Sequence, residues 1–230
     1  MNPRERIEER EYDVLSPRAF HVKEAKRAHA EAKDPLRTDF ARDRDRILHS
    51  NSFRRMKHKT QVYIAPKGDN YRTRMTNTLE VAQIGRTMAR ALSMNEDLVE
   101  AIALGHDLGH TPFGHVGEQA LKEIYGHFEH NEQSVRIAER LERDGAGLNL
   151  TLPVLDGMLN HCGPLKAHTL EGSLIKYADR IAYLCHDYED AESMGLITAT
   201  DVPEEIRRRI GTTHSSMITA MVTDVVEHSM

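Results

Sequence analysis

Residues 103–118 read Ala-Leu-Gly-His-Asp-Leu-Gly-His-Thr-Pro-Phe-Gly-His-Val-Gly-Glu, and this run restricts the fold more than any other part of the chain. It sets three histidines, an adjacent His-Asp pair and a glutamate among leucine, phenylalanine and glycine. Histidine and aspartate are poor core fillers, because a buried polar group without a partner costs free energy. The segment therefore lines a cavity where its polar groups meet one another or a ligand, rather than covering a solvated face. Five histidines fall between residues 106 and 130, too many to be loop residues at the end of one helix.

A chain of 230 residues can bury one substantial core around such a cavity. With 39% apolar and 29% charged residues it has the composition of a soluble protein. Cys162 and Cys185 are too few for a disulfide framework or a thiolate cluster, which suits a reducing, cytoplasmic setting. The first residues are charged throughout, and no run approaches the roughly 18 apolar residues of a membrane span. The net charge of −5 argues against wholesale coating by nucleic acid. Between Leu36 and Arg74, however, eleven Lys or Arg stand against four Asp or Glu. That local excess suits an anionic partner such as a polyphosphate or single-stranded nucleic acid. Pairing with the aspartates of Arg-Asp-Arg-Asp-Arg (42–46) accounts for about half of it.

Helical periodicity dominates the rest. Ser16-Pro17 reads as the start of a helix through about residue 32, and a second helix spans about 38–56. Thr60-Gln-Val-Tyr-Ile-Ala followed by Pro-Lys-Gly-Asp-Asn is the one strand-and-turn signal, so at most one short β-hairpin is expected near residues 60–72. Further helices are expected at about 73–92, 96–109, 114–125, 129–143, 151–162, 168–190, 202–210 and 213–228. No repeat or linker divides the chain. The expectation is an all-α fold in a single domain over 1–230.

On a helix, His106 and His110 would share a face. Asp107 could join them on one ion only near a helix end, which the Gly109–Pro112 break supplies. Imidazole and carboxylate ligands suit a hard-to-borderline divalent cation. Two ligands do not hold a catalytic ion, and the best distant candidate is Asp179, set in the apolar helical run 175–183. A buried ion pair with Arg180 or another cation is the structural alternative for it.

These residues resemble the HD-domain metal-dependent phosphohydrolases, whose pattern is a first histidine, a His-Asp pair and a distant aspartate. Gly105 to Glu118 looks like one branch, the deoxynucleoside triphosphate triphosphohydrolases related to deoxyguanosine triphosphatase. The likeness continues through Phe53-Arg-Arg-Met-Lys-His-Lys-Thr-Gln-Val, Tyr71-Arg-Thr-Arg, Thr78-Leu-Glu-Val-Ala-Gln, Phe128-Glu-His-Asn-Glu-Gln-Ser and Tyr177-Ala-Asp-Arg-Ile-Ala-Tyr. It covers about residues 36–190, and the fold it implies is the helical HD-domain fold. It implies that His106, Asp107 and Asp179 hold a divalent metal: manganese or magnesium first, with iron, cobalt, nickel or zinc as alternatives. Where the pattern calls for its first histidine this chain has Asn77, whose amide oxygen is a weaker ligand. The resemblance further implies a catalytic pair of His115 and Glu118, with His110 and His130 lining a phosphate cavity and Arg74 gripping phosphate. Arg54 and Lys57, in the basic motif, are further substrate-contact candidates, and Tyr183 would stack on the sugar or base.

The expected activity is hydrolysis of a deoxynucleoside triphosphate (dGTP or similar) to the deoxynucleoside and inorganic tripolyphosphate. One alternative is another phosphodiesterase or nucleotidase of the same superfamily. Another, motivated by Asn77, is a nucleotide- or nucleic-acid-binding module with impaired catalysis. The resemblance also implies a homo-oligomer, for which Met217, Ile218, Met221 and Val222 of the last helix are candidate contacts unless they pack on the chain's own core. Longer relatives carry additional C-terminal helices that this chain is expected to lack.

Overall fold

The computed structural model describes residues 1–61 and 72–230. Among them the chain is helical throughout and forms no sheet. The only strand-like pairings are two isolated antiparallel bridges, Arg27 with Thr151 and Thr60 with Thr73. The second stands at the base of the expected hairpin. The rest of that hairpin lies outside the described residues.

Three helices form the centre: α4 (Arg74–Ala91), α5 (Glu96–Gly105) and α9 (Leu170–Ser193), each packed on the other two. The wall of α5 is almost wholly apolar, with Leu98, Val99, Ile102 and Ala103 fully buried. Val81, Ile84 and Met88 meet it from α4, and Ile175, Ala178 and Ala182 from α9. α2 (Asp39–Leu48) crosses the far side of α5, and α8 (Leu152–Asn160) lies against both α5 and α9. α7 (His130–Arg136) packs on α8. A short α3 (Asn51–Arg55), α6 (Gly114–Tyr125), α10 (Glu204–Ile210) and α11 (His214–Glu227) complete the bundle.

Several helix boundaries follow local chemistry. The expected helix over 38–56 breaks at Ser50, whose side chain caps α3 by accepting from the Phe53 N–H. α5 stops at Gly105, four residues earlier than its apolar pattern suggests. α1 (Pro3–Val14) is legible in hindsight: Asn2 and Glu5 form a reciprocal capping box with Pro3 at the first helical position.

The helix expected over 16–32 does not form. Only one 3-10 turn, Val22–Glu24, appears there. Tertiary partners claim this backbone instead: Phe20 N–H donates to Glu171 Oε1 at 2.9 Å and Val22 N–H to Glu11 Oε2 at 2.7 Å. Ala19 and Val22 sink into the core.

The residues proposed as an oligomer contact turn inward. Met217 and Val222 are buried, and Ile218 and Met221 pack against the same core. They are explained by α11 lying on α9 and α4.

Much of the basic run 36–74 is likewise consumed internally. Arg42 and Arg46 pair with Glu31, Arg44 with Asp45 and Glu100, and Arg72 with Glu80, Glu189 and Asp190.

Candidate active site and metal centre

Because α5 ends at Gly105, His106 is its C-cap and Asp107 to His110 form a turn beyond it. The expectation that His106 and His110 share a helical face therefore fails. The turn brings His110 round to a different wall, and the reason is visible at Gly109. A Cβ there would lie 2.3 Å from the Ser134 backbone nitrogen and 2.6 Å from the His130 carbonyl oxygen, so only glycine lets the turn touch α7. Ser134 welds the contact: its Oγ accepts from Gly109 N–H at 2.8 Å and lies 2.7 Å from the His106 carbonyl. From the other side Lys59 donates to the His110 carbonyl at 2.6 Å.

His106 Nδ1 lies 2.6 Å from the Ala103 carbonyl, which can only accept, so the hydrogen sits on Nδ1 and Nε2 points inward. That Nε2 is buried without a hydrogen-bond partner. It stands 3.6 Å from Asp107 Oδ2 and 3.6 Å from Asp179 Oδ1. The distant aspartate of α9 thus meets His106; no pair with Arg180 forms among the described residues, and the pair with the His106 ring falls under the alternative of another cation. Burial alone would strip a proton from His106, but the two carboxylates overcome it and raise its pKa to about 9. Two carboxylates facing one inward ring nitrogen concentrate negative charge where a divalent cation would sit. The donor set of one imidazole and two carboxylates fits manganese or magnesium.

Asn77 is fully buried on α4, with its Oδ1 accepting from His186 Nδ1 at 2.9 Å. Its hydrogen bond runs to α9, and its amide nitrogen has no hydrogen-bond partner. Arg74, one turn earlier, reaches Asp107 of the site. Its guanidinium donates to Asp107 Oδ2 at 2.6 Å and to the Gln61 carbonyl at 3.2 Å.

The second group stands beside the first. α6 begins after Phe113, whose left-handed backbone turns the chain sharply, and Gly117 fits against Pro112, where a Cβ would lie 2.1 Å from its carbonyl oxygen. This start projects His115 to the surface, with its side chain 75% exposed, and Glu118 inward. His115 Nδ1 and Glu118 Oε2 are 3.1 Å apart. Glu118 Oε1 also accepts from the His130 N–H at 2.9 Å and lies 3.1 Å from His130 Nδ1. Burial would raise the Glu118 pKa, yet the His130 N–H and the two imidazoles hold it down to about 2. His110 stacks on His130 with ring centroids 4.7 Å apart. Burial keeps it neutral, lowering its pKa to about 3.

Asp107, His110, His115, His130, Asp179 and Tyr183 share one cavity of about 340 Å³ with Arg74, Arg180, Phe113 and Val116. Arg54 and Lys57 do not line it. Both are exposed, and Arg54 hydrogen-bonds Asn51. Reading the sequence missed His161, on the C-cap of α8, which is buried against His106 and His130. It also missed His186, Ser134 and Lys59. A lone His-Cys pair after an apolar helix carries no spacing signal, so only the packing of α8 could reveal His161.

A family model described as the HD domain matches residues 74–184. Curated relatives named deoxyguanosinetriphosphate triphosphohydrolase-like protein match the whole chain. That of Caldanaerobacter subterraneus subsp. tengcongensis is 55% identical over 232 residues, covering 100% of this chain and 68% of the relative. That of Desulfatibacillum aliphaticivorans is 52% identical, covering 100% and 69%. That of Clostridium tetani is 47% identical, covering 100% and 68%.

Proposed function

The chain belongs to the deoxyguanosinetriphosphate triphosphohydrolase-like family of HD-domain, metal-dependent phosphohydrolases, and on that premise we propose that it hydrolyses deoxynucleoside triphosphates to the deoxynucleoside and inorganic tripolyphosphate. The observation that carries this reading is the shared cavity. Asp107 and Asp179, each 3.6 Å from His106 Nε2, line it together with His115, the imidazole that Glu118 holds, and cations and apolar side chains form the remaining walls.

His106, Asp107 and Asp179 would hold the divalent cation, which when bound polarises a phosphoryl oxygen and lowers the pKa of water. The chain's own groups do the rest. Arg74 and Arg180 set positive charge along the cavity wall, where a triphosphate would otherwise meet two carboxylates. His110 and His130 offer ring nitrogens to phosphate oxygens. Phe113, Val116 and Tyr183 give the apolar surface that a sugar and base require.

Water attacks the α-phosphorus and the bond from phosphorus to the 5′ oxygen breaks. The leaving 5′ oxygen takes a proton, so the products are the deoxynucleoside and tripolyphosphate. His115 stands at the cavity mouth with Nδ1 fixed by Glu118, which leaves Nε2 free to pass that proton when the ring is cationic.

The test is incubation with each deoxynucleoside triphosphate and manganese, followed by phosphorus NMR of the products. Tripolyphosphate is expected. Orthophosphate or pyrophosphate as the only inorganic product would overturn the reaction assignment.

A second reading, an impaired nucleotide-binding module, is favoured by one observation: the Asn77 oxygen is engaged by His186. It expects nucleotide binding without turnover in the chain as it stands, and turnover in Asn77→His. Assembly as a homo-oligomer and binding of single-stranded nucleic acid belong to the same proposal and are read by sedimentation and by salt-dependent binding. No described helix is long and apolar enough to cross a membrane.

A further inference from the structure

His161 has no role in the reading above, yet it stands at the centre of the imidazole cluster. It is 2% exposed, and its Nδ1 lies 2.7 Å from the Met158 carbonyl. A carbonyl only accepts, so the hydrogen sits on Nδ1 and a neutral His161 ring presents a lone pair on Nε2. The same reasoning applies to His130 through the Glu118 carboxylate. The Nε2 atoms of His130 and His161 nevertheless face each other at 3.2 Å. Two lone pairs at that distance repel unless a positive charge stands by them.

The ligand atoms of His106, Asp107 and His161 all lie within 4.8 Å of one another. With bonds of about 2.1 Å, neighbouring octahedral ligands stand about 3.0 Å apart and opposite ones about 4.2 Å. These three atoms span slightly more than a closed coordination sphere, and Asp179 borders them 3.6 Å from His106 Nε2. His161 also forms a group with His130 and Cys162, but that group holds no carboxylate, whereas Asp107 belongs to the His106 group and Asp179 stands 3.6 Å from His106, and an oxygen-seeking divalent cation favours the carboxylates. Asn77, meanwhile, has its oxygen committed to His186.

We propose that His161 supplies an imidazole ligand to the divalent cation at the His106–Asp107–Asp179 site, the place in the ligand set that Asn77 leaves unfilled. The inference rests on the metal-centre reading above. α8 lies against both α5, whose C-terminal end leads into His106 and Asp107, and α9, which carries Asp179, so it delivers His161 from a third element.

The test uses the full chain, stripped of metal and titrated with Mn2+, with free Mn2+ read by EPR and coordinated imidazoles counted by electron spin-echo modulation. Removing even an outer-shell partner costs roughly 10–100-fold in metal affinity. His161→Gln should therefore weaken Mn2+ binding by at least about 10-fold and lower the imidazole count from two to one. Adding Asn77→His to that variant should restore affinity. An imidazole count of one in the unsubstituted protein overturns the proposal, however the variants fold. So does unchanged affinity in His161→Gln while Asp179→Ala loses it, a result that leaves the metal centre standing. If the unsubstituted protein binds no Mn2+, or Asp179→Ala binds it equally well, the metal centre itself falls and this proposal with it.

Discussion

His186 shows how one buried residue couples the site to stability. It is fully buried, bonded to Asn77 and stacked on His214 with ring centroids 5.2 Å apart. Burial, with Arg72 and His214 nearby, lowers its pKa from 6.5 to about 3. The folded ring stays neutral while an unfolded one takes a proton below pH 6.5. Its contribution to stability is thus complete above that pH and is lost as pH falls toward 3. Thermal unfolding of metal-free protein should be less acid-sensitive in His186→Gln, by on the order of 1–3 kcal/mol at the acid end. Glu118 is the counterpart in the proposed reaction. Glu118→Gln removes the charge that fixes two imidazoles, and should cut turnover by roughly 10²–10⁴-fold. Mn2+ affinity should hardly change, because Glu118 is not among the proposed ligands. Steady-state rates and the Mn2+ titration measure the two effects separately.

At the scale of elements, the turn after α5 decides which histidines meet. Its apolar run reads as helix through residue 109, and by sequence alone that reading is sound. What stops it is outside the segment: Ser134 on α7 and Lys59 after α3 bind the backbone groups that a longer helix would have used. Gly109→Ala pushes a methyl into α7. It should destabilise the fold by roughly 1–3 kcal/mol, the usual cost of forced overpacking. Chemical denaturation checks the stability, and a parallel loss of Mn2+ affinity would show that the turn carries His106 and Asp107 with it. Ser134→Ala leaves the Gly109 N–H buried and unpaired at a cost of about 1–3 kcal/mol. Its urea midpoint should fall accordingly.

Across the whole molecule the basic run 36–74 changes meaning. By composition it suits an anionic partner, but its arginines tie elements far apart in sequence. Arg46 donates to the carbonyls of Leu148 and Asn149. Arg27, just before the run, pairs with Asp39 and the fully buried Asp43 and holds the Asn149 carbonyl. Arg27→Met would leave Asp43 with only the Thr151 N–H as partner. Stranding a buried charge in this way costs about 3–5 kcal/mol. Urea unfolding should show it, with the active-site geometry intact at low denaturant. Arg54 and Lys57 carry no such tie and stay exposed.

The sequence by itself determined the helical class, most helix positions and the chemistry of the cavity. Apolar periodicity is local, and the run of histidine, aspartate and glutamate has no other low-energy use. It also marked Asn77 as the departure and Asp179 as the distant partner. Only the tertiary structure decided where the helix before His106 ends, that residues 16–32 form no α-helix while Glu171 and Glu11 take the Phe20 and Val22 N–H groups, and that His161 and His186 enter the site's surroundings. Those outcomes depend on contacts between residues tens of positions apart, whose free energy exceeds the local preference of any short segment. A histidine delivered by the packing of α8 leaves no period or motif in its own neighbourhood to be read.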